Sequence, residues 1–108
     1  MATVRLDGER INDWDSFHAE CQREFGFPEG YGRNMDAWVD CLSYLRDEEG
    51  MSKFRLGSDE TLKIELSHAD LLRKKMPEIL DDLTFCIMAI NERYEDYGEK
   101  PALNLILL

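Results

Sequence analysis

The chain is short of basic residues. Thirteen Lys and Arg stand against 23 Asp and Glu, a formal net charge of −10. A surface of that sign repels nucleic-acid phosphates and anionic lipid heads, so direct binding to either is not expected. Long hydrophobic runs are also missing. The longest nearly apolar stretch, Leu83 to Ile90, is far too short to span a bilayer. Met1-Ala2-Thr3-Val4-Arg5 lacks the basic-then-apolar pattern of a signal peptide, so a cytoplasmic location is expected. The three cysteines, Cys21, Cys41 and Cys86, are odd in number, far apart and without a CxxC pair. Free, reduced, buried thiols suit that compartment. There is no internal repeat, P-loop, dinucleotide fingerprint, GxSxG or Cys–His constellation, so no cofactor is expected and an enzyme is disfavoured.

What is present is enough to fold. The chain has 108 residues and 44% of them are hydrophobic, which predicts one packed domain over 1–108 rather than disorder. Residues 2–6 alternate toward Val4 and Leu6 and meet Asp7-Gly8, a short strand and turn. Asn12 or Asp13 can cap a helix whose apolar stripe is Trp14, Phe17, Cys21 and Phe25, with Gly26 ending it. After the loop Phe27 to Gly32, the spacing of Met35, Trp38, Val39 and Leu42 predicts a second helix over about 33–46. A polar connector covers about 47–59. A second strand is predicted at 61–66, a short helix near 68–74, and a longer helix over 77–95 opened by Pro77. The last helix carries the stripe Ile79, Leu83, Ile87, Ile90 and Tyr94. Residues 102–108 are apolar except Asn104, as in a strand covered on both faces. Strands separated by helices predict an α/β fold: a three-stranded parallel sheet packed with about four helices.

The informative stretch is Phe27-Pro28-Glu29-Gly30-Tyr31-Gly32-Arg33-Asn34-Met35-Asp36-Ala37-Trp38-Val39-Asp40-Cys41-Leu42. On a helical wheel Asp36, Asp40 and Ser43 gather beside the apolar stripe, with Tyr44 near Asp40. Like charges at i, i+4 cost an isolated helix about 0.2–0.5 kcal/mol, a cost that a cationic partner would reverse. A merely solvated face is the plain alternative.

This run resembles the signature of the barstar family of ribonuclease inhibitors, which pairs a Pro-acidic-aromatic-Gly loop with Asn, Asp-Ala and a second Asp four residues on. The resemblance extends over most of the chain, except for about 46–60. It implies the same sheet, and a protein that blocks the active site of a ribonuclease inside the producing cell, as in toxin immunity. It also implies a free monomer that meets a basic ribonuclease or related nuclease toxin. Carried over residue by residue, Tyr31 resembles the second loop aromatic, Asp36 the first helix carboxylate, Asp40 the central one and Glu92 the acidic residue of the last helix. Gly30 stands where the pattern has an aromatic, and Tyr44 where it has glycine. Those departures point away from the best-known ribonuclease of the family and toward another fit.

Two other functions are compatible with parts of this pattern. The same face could hold a different basic partner, either a DNase-type toxin or a non-nuclease regulatory protein. A small acid–base or metal enzyme built on Asp36 and Asp40 needs an enclosed cleft, which two carboxylates one turn apart do not make. His18 and His68 have no His or Cys partner at metal spacing, so capping or surface roles are expected and no metal.

Overall fold

The computed structural model describes residues 2–47 and 50–108. Strand β1 (Thr3–Asp7) leads through a 3-10 turn (Gly8–Arg10) to helix α1 (Trp14–Phe25) and helix α2 (Met35–Leu42). Strand β2 (Leu62–Ser67), helix α3 (Ala69–Lys75), helix α4 (Pro77–Asp96) and strand β3 (Leu103–Leu107) complete the chain. The strands form one parallel sheet in the order β1-β2-β3. The expected α/β architecture of three parallel strands and four helices is therefore present. Glu48 and Glu49, at the head of the expected connector, lie outside the described residues.

Register explains how the sheet is covered. Val4 pairs with Ile64 and Ile64 with Leu105, while Arg5 pairs with Glu65 and Glu65 with Ile106. Val4, Leu6, Leu62, Ile64, Leu66 and Leu103 are buried on one face. Thr3, Arg5 and Asn104 are exposed on the other, and Arg5 is bonded to Glu65 across the strands. The expectation that β3 is covered on both faces fails. β3 is an edge strand in which Leu103 alone is buried, Asn104 is exposed, Leu105 and Ile106 are half-buried and Leu107 is 44% exposed. The alternation of β1 and β2 marks a sheet with one wet face, and β3 shares that geometry.

Local chemistry sets the helix ends. Asp13 caps α1 with its carboxylate on the Ser16 N–H, and the Ser16 hydroxyl oxygen accepts from the Asp13 N–H. Gly26, at φ +70°, closes α1 in the left-handed region that glycine tolerates. Gly8 is needed for a different reason: a Cβ there would lie 2.6 Å from the Ser67 carbonyl oxygen. Phe17, Cys21 and Phe25 of α1 join Trp38 and Leu42 of α2 and Ile79, Leu83 and Ile90 of α4 in one apolar core. Burying each large side chain contributes about 1.5–3 kcal/mol. All three cysteines are free and buried, and burial pushes the Cys21 thiol well above its usual range. No helix among the described residues is long and apolar enough to cross a membrane.

Candidate functional site

Helix α2 is shorter than its sequence pattern. Arg33 is not helical but left-handed at φ +52°, and Asn34 is the N-cap, its side chain accepting from the Ala37 N–H at 2.8 Å. At the other end Ser43 is the C-cap. The expected helical residues beyond Leu42 are captured by tertiary bonds instead. The Tyr94 hydroxyl donates to the Ser43 carbonyl at 2.9 Å and accepts from the Leu45 N–H at 3.1 Å. The Leu45 carbonyl then accepts from the Leu56 N–H at 2.7 Å. Buried hydrogen bonds from α4 and the connector thus outcompete another helical turn.

Asp36 and Asp40 are both exposed on α2. Among the described residues no hydrogen bond or ion pair engages either carboxylate. Trp38, Cys41 and Leu42 on the opposite side are buried. The helix is pinned by its apolar face and presents two unneutralised charges one turn apart. Asp36 also lies near enough to α4 for its charge to help raise the Cys86 thiol, behind burial and Asp82. Glu92 is exposed on α4. Its neighbour Arg93 donates to the Ser43 hydroxyl at 3.2 Å, which marks the side of α4 that meets the end of α2.

Tyr31 is placed differently from the exposed loop ring implied by the resemblance. It is 7% exposed. Its ring packs on Phe27 at 4.7 Å between centroids, and its hydroxyl lies 2.7 Å from His18 Nδ1. Burial pushes the Tyr31 hydroxyl far above its ordinary range and holds His18 below its own. His18 is neither a cap nor a surface group. It is 3% exposed, stacked with Trp14 and edge-on to Phe17. This pair, with Gln22 donating to the Pro28 carbonyl at 3.0 Å, fastens the loop before α2 onto α1.

Gly30 and Tyr44 flank the acidic edge. A Cβ at Gly30 would meet nothing within 4 Å, so the loop is open there. Tyr44 lies in the turn past α2 and is 45% exposed. Phe85 and Met88 on α4 are 71% and 58% exposed, and sequence reading overlooked them. The available signal was a large apolar pair lying off the buried stripe, in line with Glu92 at i+7 and i+4.

Asp7, Glu9 and His68 bring three donor atoms within 4.8 Å of one another, a proximity that sequence spacing did not reveal. Each has structural work already. Asp7 accepts from the Glu9 N–H at 2.9 Å and lies 3.1 Å from His68 Nδ1. The Glu9 bond, then the His68 pairing, holds the Asp7 carboxyl below its usual range. The cluster fastens the end of β1 to the start of α3.

The fold is that of a small α/β protein with three parallel strands and four helices, and among the described residues its second helix carries two exposed carboxylates without a bonded partner. The sequence model of the family described as Barstar (barnase inhibitor) matches residues 1–106. This chain is a member of that family. It also resembles a Bacillus subtilis (strain 168) protein described as "Putative ribonuclease inhibitor YrdF", at 35% identity over 43 residues. That match covers 40% of this chain and 47% of the relative.

Proposed function

We propose that this protein blocks a basic ribonuclease by inserting the Asp36–Asp40 edge of α2 into the enzyme's cationic active site. The observation that carries the reading is the pair of exposed carboxylates with no partner among the described residues, on a helix whose other side is buried. A ribonuclease site must attract phosphate and is lined by cations. Asp40 stands in for a phosphate and accepts charge-assisted hydrogen bonds there. Asp36 and Glu92 meet cations at the rim. Tyr31 acts from behind, holding the loop in place through His18 rather than stacking on the enzyme. The net charge of −10 speeds encounter, and added salt slows it. The protein works as a binding module in the cytoplasm and performs no chemistry itself.

The test is inhibition of RNA cleavage by barnase and by the ribonucleases encoded in the same genome. Stoichiometric inhibition at micromolar protein is expected for at least one enzyme, with loss of inhibition in Asp40→Ala. Cleavage untouched in every case sinks the ribonuclease assignment. A second reading keeps the same face and changes the partner to a DNase-type toxin or a basic regulatory protein. The open position at Gly30 and the exposed Tyr44 ring favour a partner shaped differently from barnase. Binding without inhibition selects that reading.

A further inference from the structure

Past the end of α2 lies a groove of about 720 Å³ between the turn after α2 and the end of α4. We propose that this groove takes an arginine side chain of the protein partner, as a second contact beside the one made by Asp40. The inference rests on the inhibitor reading of α2 and adds the chemistry of a separate pocket.

Three features favour a cation there. First, two helices end at the groove: Ser43 caps α2 and Tyr97 caps α4, and both line it. A helix C-terminus carries a partial negative charge. The last turn of α2 has no basic residue to offset it. Second, Asp47 and Asp96 line the groove, and among the described residues neither carboxylate has an ion pair or hydrogen bond. Third, Tyr44 and Tyr97 are 45% and 85% exposed, two aromatic rings available to the flat face of a guanidinium.

The arginines already in the groove do not fill this role. Arg46 is part of the wall. Its side chain is 7% exposed, and it donates to the Lys100 carbonyl at 2.8 Å and the Glu60 carbonyl at 2.9 Å. It pairs with Glu99 at 3.3 Å and lies over the Tyr94 ring at 4.9 Å. Arg93 is turned toward Ser43, and its single charge is outweighed by two carboxylates and two helix ends.

The experiment titrates the labelled full-length protein with a capped hexa-arginine peptide and follows backbone amides by NMR. The control is the hexa-citrulline peptide, equal in shape and uncharged. Saturable shifts at Tyr44 and Tyr97 with arginine only are expected. The double variant Asp47→Asn, Asp96→Asn should weaken that response about fivefold with an unchanged melting temperature. The double variant Asp36→Asn, Asp40→Asn should leave it in place. Groove signals that do not move, that move equally with citrulline, or that ignore the Asp47 and Asp96 substitutions overturn the proposal. The α2 reading is judged separately by RNA cleavage, so the two can fail independently.

Discussion

Glu20 and Asp40 are both helix carboxylates, and the protein treats them in opposite ways. Glu20, on α1, is 4% exposed. One of its oxygens accepts from the Asp7 N–H at 2.9 Å, and the other meets Arg23. Asp40, on α2, is exposed and unpartnered among the described residues. Around Glu20 the negative charge is consumed by folding; along α2 it is left over. Bulk acidity is therefore a poor guide to a binding face, and the informative quantity is which carboxylates the fold has already used.

That contrast predicts opposite outcomes for similar substitutions. Asp40→Ala should weaken binding to the cognate nuclease by roughly 1.5–3 kcal/mol for each charge-assisted bond lost, at least tenfold in Kd. Its melting temperature should stay at or above wild type. Glu20→Ala should do the reverse. Removing the charged acceptor of the half-buried Asp7 N–H should cost about 1–3 kcal/mol in denaturant unfolding, with binding per folded molecule unchanged. A stable Glu20→Ala protein would erase the distinction. Asp36→Asn should change stability by less than about 0.5 kcal/mol, because relief of the α2 repulsion offsets the loss of a favourable charge in the first turn of the helix, while the association rate falls. Gly30→Tyr should change stability by less than about 0.5 kcal/mol, since the added side chain meets open space. Its effect belongs entirely to the partner.

Acid should sharpen the contrast through the loop that carries α2. Burial lowers His18 from its ordinary value of 6.5 in the folded protein. The unfolded chain therefore takes up this proton first as pH falls. The His18 contribution to stability is complete above about 6.5 and declines as pH drops below it toward the folded-state value. Urea midpoints measured between pH 7.5 and 5 should fall, and His18→Gln should flatten that decline. An unaltered slope in the variant would remove His18 from the account.

Most of the fold was legible in the sequence, because its elements are built from strong local signals. The stripe of α4, Gly26 and Pro77 act within one helical turn, so spacing alone placed them, and it narrowed the α1 cap to Asn12 or Asp13, of which the fold uses Asp13. Asp36 and Asp40 were legible for the same reason. What could not be read were the outcomes of contacts between distant residues. The end of α2 depends on the Tyr94 hydroxyl, about fifty residues away. The burial of Tyr31 depends on His18, and the grouping of Asp7, Glu9 and His68 depends on the β1–β2 register. The wet face of the sheet was encoded in β1 and β2, but the apolar composition of β3 concealed it.

The Tyr94 hydroxyl, bonded on both sides to the turn after α2, has an entropic consequence. By holding the Ser43 carbonyl and the Leu45 N–H together, it restricts that turn in the free protein, so that the docking proposed above has less motion to suppress. Each side chain or loop that must be ordered on association typically costs about 0.5–1.5 kcal/mol. A surface frozen in advance incurs less of that loss, so more of the attraction between carboxylates and cations survives as affinity.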